Sequence, residues 1–263
     1  MSASVLTTVA GGVAKITLNR PEKRNALDRT IIAALSSALR GCADDGAVRL
    51  VQITGAGNAF CAGADLTEMQ AQAHAGEAAN LADAEPLAAM LALLDSLPKP
   101  TLARVNGDGY GGALGLLAAC DVVVAADAAR FAFTEVRLGI IPAVISPFVL
   151  GKIGAGAARR YFLSAETLTA AALEELGLIH EVVPADQLDA ACARITESLL
   201  KGAPGALAEA KTLIRDMAQT PASDRAAASR AAAARLARLR VQAEAQEGFA
   251  AFFAKRKAGW RQD

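Results

Sequence analysis

The sequence predicts an α/β protein in which a parallel sheet is built through crossover helices and is followed by a mostly helical C-terminal third. Three observations carry that prediction. Short β-branched runs alternate with segments of helical period over the first half of the 263 residues. Past Ile141 the helical segments follow one another. Hydrophobic residues make up 53% of the chain, and much of that is alanine, which suits helices that approach closely.

Taken in order, VAKITL at residues 13–18 reads as a strand, ended by Asn19, Arg20 and Pro21. Asp28 stands before IIAALSSALRGC, whose apolar residues recur at helical spacing, and is predicted to cap that helix. VRLVQITG is a strand ended by Gly55, LPKPTLARVNG another after two prolines, GGALGLLAACD a helix entered through glycines, and DVVVAA a further strand. GAGAARRYFLS, TLTAAALEELGLI and LDAACARITESLLKGA read as helices, with Gly177 as a helix stop and Pro184 opening a new connection. The domain edge is expected between Gly177 and Leu207, and is placed so that residues 1–195 form the core and 196–263 a helical C-terminal region. The alanine-rich tail carries Arg235, Arg238 and Arg240, which predicts an exposed or subunit-bridging helix.

Composition removes several function classes. Lys plus Arg and Asp plus Glu balance at 27 each, so no global field holds a nucleic acid or an anionic membrane. No apolar run approaches the roughly eighteen residues of a membrane span, and no basic, apolar leader follows Met1. Cys42, Cys61, Cys120 and Cys192 are scattered and read as reduced core residues, so a cytoplasmic protein is expected. With only His74 and His180, neither a histidine metal site nor a catalytic triad is expected.

Two segments carry chemistry. GAGNAFCAGADL at residues 55–66 and VNGDGYGGALGLLAACD at 105–121 each lead from a strand through glycines into a helix. Small side chains let a ligand approach the backbone, and the first N–H groups of a helix point outward without partners. Two such entries can offer two N–H donors to one oxygen, the arrangement that stabilises an oxyanion in acyl chemistry. Gly107, Gly109 and Gly112 match GxGxxG, but the motif lies past residue 100 and only Asp127 stands near the place of the ribose-binding acid, so a dinucleotide site is rejected.

These segments, with ITLNRPEKRNALD, FAFTEVRLGIIP and EGFAAFFAKRKAGW in the same order and spacing, resemble the enoyl-CoA hydratase/isomerase (crotonase) superfamily over nearly the whole chain. TEVRLGIIPAVISPFV more narrowly resembles bacterial methylglutaconyl-CoA and isohexenylglutaconyl-CoA hydratases. The resemblance implies a β/α spiral core, an acyl-CoA thioester as substrate, no cofactor beyond its coenzyme A, no metal, and a homotrimer or dimer of trimers. It implies that the backbone N–H groups of Ala64 and Gly112 hold the thioester oxygen and that Glu135 moves the proton; the alternative for Glu135 is a surface ion pair with Arg137 or Arg130. Where two-glutamate hydratases have their first glutamate, this chain has Gly115.

For coenzyme A the resemblance implies Lys23, Arg24 and Ala26, then Ala62, Asp65 and Leu66, and from the C-terminus Phe252 and Lys255, the last two often reaching across a subunit boundary. Met69, Tyr110, Ala143, Val144 and Ile145 are candidates for the acyl wall, and Arg104 or Arg137 for the partner of a dicarboxylic acyl chain. The expected activity is hydration of a 2-enoyl-CoA, with a branched 3-methylglutaconyl-type group as the finer expectation. The rivals are Δ3,Δ2-enoyl-CoA isomerisation, acyl-CoA decarboxylation, and a catalytically inactive coenzyme A-binding protein.

Overall fold

A computed structural model describes residues 3–261. It opens with a hairpin whose first strand the sequence reading passed over. Strand β1 (Val5–Ala10) pairs antiparallel with β2 (Val13–Leu18), from Val5 opposite Leu18 to Ala10 opposite Val13. Gly11 and Gly12 form the two-residue turn with φ of 55° and 77°, the doubly positive conformation that matches strand twist.

Helix α1 (Arg29–Asp44) follows, and Asp28 Oδ1 accepts from the Ile31 N–H at 2.7 Å, as the capping prediction requires. Its buried Ile31, Ile32, Leu35 and Leu39 keep helical spacing. The chain then runs β3 (Leu50–Gly55), β4 (Ala59–Cys61), α2 (Leu66–Gln72), α3 (Glu77–Ser96), β5 (Thr101–Val105), β6 (Asp108–Tyr110) and α4 (Gly112–Ala119). Next come β7 (Val122–Ala126), β8 (Arg130–Ala132), α5 (Ser146–Ser164), β9 (Leu168–Thr169), α6 (Ala170–Glu175), β10 (Glu181–Val183) and α7 (Leu188–Leu200). Three more helices close the described chain: α8 (Pro204–Ala218), α9 (Arg225–Arg240) and α10 (Ala243–Phe253). Gly177 takes φ 80° past the end of α6, where a helix stop was expected.

Each turn of the chain gives one strand to each of two sheets. The larger has the order β1-β2-β3-β5-β7-β10, with every pair from β2 onward parallel, and the smaller the order β4-β6-β8-β9. The pairs β3/β4, β5/β6 and β7/β8 are thus successive coils of a spiral. Side chains of the larger sheet alternate in the way a two-faced sheet requires. Val51, Ile53, Ala103, Val105 and Val123 join the main core beneath α1, α3 and α4, while Leu50, Leu102 and Val124 face the other way, onto Leu188, Ala191 and Cys192 of α7. Helix α7 runs through the expected division at residue 195 and stays on the sheet, so the chain leaves the core after Leu200.

The last helices are tied back by the partly buried cations Lys211 and Arg49, and α9 is tied to α8 by ion pairs. Lys211 of α8 reaches Asp121 at 2.6 Å and the Lys99 carbonyl at 3.0 Å. Arg49 donates to the carbonyls of Trp260 (2.6 Å), Gly202 (2.8 Å) and Leu200 (3.3 Å). On α9, Arg235 pairs with Asp216 at 2.7 Å and Arg238 with Glu209 at 3.1 Å, both acids of α8. His180 Nδ1 accepts from the Val123 N–H at 3.1 Å, a structural role, and burial lowers its pKa. All four cysteines are free and buried, and burial pushes the thiols of Cys61 and Cys120 up to about 12. No helix among the described residues is long and apolar enough to cross a membrane, and no group of three or more His, Cys, Asp or Glu could hold a metal.

Candidate active site

Strands β4, β6 and β8 lie side by side and parallel, with Cys61 opposite Gly109 and Tyr110 opposite Ala132. A candidate residue follows each carboxyl end within three positions: Ala64 after Cys61, Gly112 after Tyr110 and Glu135 after Ala132. The carboxyl edge of a parallel sheet is where loops converge on a ligand. Ala64, Gly112 and Glu135 border one cavity of about 230 Å3.

The backbone around the first two leaves their N–H groups unpaired. Leu27 N–H donates to Gly63 O at 2.7 Å and Asp65 N–H to Leu27 O at 3.0 Å, which pins the loop on either side of Ala64. Gly111 N–H donates to Ala132 O at 3.0 Å and Leu114 N–H to Gly111 O at 2.9 Å. The amides of Ala64 and Gly112, between these anchors, have no acceptor among the described residues. The two loops touch at Gly63, whose φ is 85° and where an added Cβ would stand 2.7 Å from Tyr110 O. Only glycine allows both that conformation and that approach. Two unpaired donors at neighbouring loops of one cavity suit an oxyanion.

Glu135 opens a single 3₁₀ turn, Glu135–Leu138. It pairs with neither arginine offered as its alternative partner: Arg130 Nη1 donates to the carbonyls of Ala128 and Ala129, and Arg137 forms no ion pair among the described residues. Oε2 of Glu135 is buried without a hydrogen-bond partner, and burial raises its pKa above the ordinary carboxylate range. A Cβ on Gly111 would stand 3.3 Å from Oε1, so the glycine before Gly112 also makes room for this carboxylate. A half-buried carboxylate with one oxygen unpartnered and its pKa raised by burial, beside two open amides, suits acid/base work on a bound acyl group.

The profile of the enoyl-CoA hydratase/isomerase family matches residues 8–263. The chain belongs to that family. It is 34% identical over 248 residues to a putative enoyl-CoA hydratase of Thermus thermophilus, covering 94% of this chain and 96% of that one. It is also 34% identical over 242 residues to the 2,3-dehydroadipyl-CoA hydratase of Escherichia coli, covering 92% of each. A crystal structure of an enoyl-CoA hydratase from Shewanella pealeana superposes with a TM-score of 0.93 at 39% identity, covering 98% of this chain and 96% of the other. The protein is an enzyme of the enoyl-CoA hydratase kind, with the α/β spiral and helical C-terminal region of that fold.

For this hydratase-family chain, the loop at residues 24–27 is sewn to the loop at 62–65. Ala62 N–H donates to Arg24 O at 2.9 Å, in addition to the two bonds at Leu27. Of the residues expected to hold coenzyme A, only Asp65 borders the cavity; Arg24 and Ala62 meet in the bond between the two loops, and Lys23, Ala26 and Leu66, the last 80% exposed, lie off the cavity wall. Arg24 is drawn to Asp108 at 3.1 Å, and Asp65 Oδ1 caps α2 by accepting from Thr67 N–H at 2.8 Å, which with Arg20 at 3.1 Å holds its pKa low. Arg20, read from sequence only as a strand breaker, therefore braces this edge of the cavity through both Asp65 and Asp28.

Of the proposed acyl wall, Ala143, Val144 and Ile145 border the cavity, whereas Met69 and Tyr110 do not. Tyr110 turns its hydroxyl to Asp108 Oδ2 at 3.2 Å. Arg104 is drawn away to Asp189 at 2.6 Å on the α7 side of the sheet, and the exposed Arg137 also lies off the cavity wall. Phe252 and Lys255 are not brought to the site within one chain; Phe252 borders a separate apolar hollow of about 520 Å3 with Phe249 and Phe253. The sequence reading missed Asp83 and Glu68, which line the cavity, and Arg29, which holds Asp83 at 2.6 Å while Gln72 donates to the same carboxylate.

Proposed function

We propose that the protein hydrates a 2-enoyl-CoA thioester, with the amides of Ala64 and Gly112 on the thioester oxygen and Glu135 as the one acid/base group. Water adds its oxygen to Cβ as Glu135 takes its proton, the negative charge gathers on the thioester oxygen, and Glu135 returns the proton to Cα. The carboxylate ends as it began, and the reaction draws on no cofactor beyond the substrate's own coenzyme A. The observation that carries the reading is the unpaired pair of amides beside a half-buried carboxylate that no cation answers. Each preorganised donor is worth about a hundredfold or more in rate, and general acid/base catalysis about 10²–10⁴-fold.

The acyl group is the finer question. A branched glutaconyl-type group, to which the sequence resemblance points, ends in a second carboxylate. The cavity wall carries Asp65, Glu68, Asp83 and Glu135 and no lysine or arginine among the described residues. Asp65 and Asp83 are paired with Arg20 and Arg29, which leaves Glu68 and Glu135 in excess. Like charges in so confined a space repel, so this wall favours an uncharged 2-enoyl group, branched or linear, over a dicarboxylic one.

Purified protein incubated separately with crotonyl-CoA, 3-methylcrotonyl-CoA, a 3-enoyl-CoA and 3-methylglutaconyl-CoA tests both levels. A 3-hydroxyacyl product from at least one substrate is expected; double-bond migration or carbon dioxide alone rejects hydration in favour of isomerisation or decarboxylation. A kcat/KM highest for 3-methylglutaconyl-CoA rejects the uncharged acyl group. Coenzyme A binding without any turnover favours the inactive binding protein.

The region past Leu200 is read as the assembly region of a homotrimer or dimer of trimers, in which Phe252 and Lys255 meet a neighbour's coenzyme A. What supports this is the exposure of Phe252 and Phe253, each 78%, on the apolar hollow of α10.

A further inference from the structure

Gly115 sits in the buried middle of α4, yet its missing side chain leaves no void. A Cβ there would collide with Cγ2 of Ile145, stand 3.0 Å from its Cβ and 3.1 Å from Leu91 Cδ1. Ile145 is 2% exposed and borders the same cavity as Gly112 and Glu135, whereas Gly115 does not. The volume that residue 115 would fill from α4 is filled from the opposite wall, by a side chain thirty residues later.

Ile145 is also held in place. Its carbonyl accepts from the N–H groups of Phe148 and Val149 at 3.1 Å each as α5 begins, and Ser146 Oγ donates to Ala143 O at 2.8 Å just before it. A β-branched side chain on a fixed backbone has few rotamers with which to yield. Gly115 lies on the same face of α4 as Gly112, three residues on, or about 4.5 Å along the axis at 1.5 Å per residue. In the proposed pose the thioester oxygen meets the Gly112 amide. The carbon that receives water is then two bonds of about 1.5 Å beyond the carbonyl carbon. Its substituent is one bond further, and an acyl chain that runs along α4 from the Gly112 amide carries it toward Ile145, which borders the same cavity.

We propose that Ile145, seated against Gly115, is the specificity-determining residue that sets how bulky a substituent at acyl Cβ fits beside Glu135. The inference rests on the hydratase reading and specifies its substrate. Ile145→Ala opens the wall at the substituent; Gly115→Ala drives Ile145 into the cavity. Removing or adding a methylene-sized group in an apolar pocket changes discrimination by about 10–200-fold.

The experiment measures kcat/KM for crotonyl-CoA and 3-methylcrotonyl-CoA in the full-length native protein and in Ile145→Val, Ile145→Ala and Gly115→Ala, each checked for folding by circular dichroism. The ratio of 3-methylcrotonyl-CoA to crotonyl-CoA is expected to rise about tenfold or more in Ile145→Ala, less in Ile145→Val, and to fall in Gly115→Ala. Should Ile145→Ala fail to fold, Ile145→Val is expected to show the same sign at smaller size. A ratio unchanged within about twofold, with both substrates slowed alike, overturns the proposal and leaves Ile145 a packing residue. Absence of hydration of both substrates by the native protein is a different result: it overturns this inference, and it rejects the hydratase reading as well only when 3-methylglutaconyl-CoA is not hydrated either.

Discussion

Glu135 carries opposing demands. Burial favours its protonated form, so it keeps its proton to higher pH folded than unfolded. As pH rises from the ordinary carboxylate range toward the raised folded value, the unfolded chain releases this proton first and stability declines. Glu135 therefore costs stability at neutral pH. Glu135→Gln is expected to lower kcat by about a hundredfold or more while raising the midpoint of thermal unfolding, and the gain should shrink as pH falls below the ordinary carboxylate range. A variant neither slower nor more stable contradicts the assignment. In the native enzyme the acid limb of the rate profile should lie above the ordinary carboxylate range, since the base must be ionised to take a proton from water. At this scale Asp28, Ala64, Gly112 and Glu135 were legible because each sits in a local pattern: a cap before a helical period, a glycine entry, a motif. Ile145 was legible only as one of several wall candidates, because its partner Gly115 lies thirty positions away and only the fold brings the two together.

Between elements, the contact that matters most is that of Gly63 with Tyr110. It keeps the Ala64 and Gly112 loops in register at the ends of β4 and β6. Gly63→Ala would place a methyl group against Tyr110 O on a backbone with φ 85°, and must part the loops or rotate the peptide that carries the Ala64 N–H. The expected outcome is a fall in kcat on crotonyl-CoA of about a hundredfold, with far-ultraviolet circular dichroism unchanged. An unchanged kcat would show that the two amides do not act as a pair. Strands β2, β3, β5 and β7 were legible from β-branched runs; β4, β6 and β8 of the smaller sheet, three residues each, are too short to show a period and were missed, and so was the hairpin strand β1 although its signal, a Gly-Gly turn between two strand-like runs, was present. Helix α3 was missed for a different reason. Its alanine-rich sequence has little amphipathic contrast and Pro86 sits inside it, and only the structure shows Pro86 at the exposed face while Met90, Leu91 and Leu94 pack inward.

At the scale of the molecule, the helices from α8 onward bury few large side chains, and are fastened to the core by Lys211 on Asp121 and Arg49 on three carbonyls. Arg49→Ala is expected to speed proteolytic cleavage in the last ten residues while leaving cleavage elsewhere unchanged, as mass spectrometry of timed digests would show. The proposed assembly makes a second prediction: Phe252→Asp with Phe253→Asp should shift the particle from a trimer or hexamer to smaller species in light scattering. It should also weaken coenzyme A binding, if a neighbour supplies Phe252. A monomeric native protein would contradict both. The sequence could not show which helix packs on its own core and which stays exposed on the single chain, because alanine-rich helices read alike in either place.

The four buried thiols give the folded protein a set of internal clocks. Cys42 lies in α1, Cys61 at the end of β4, Cys120 just past α4 and Cys192 in α7. None can meet a maleimide until its own layer parts, so each rate of alkylation times a separate breathing motion. Cys61, three residues before Ala64, times the cradle itself. A thioester seated there should slow the labelling of Cys61 far more than that of Cys192, which reports only the lifting of α7.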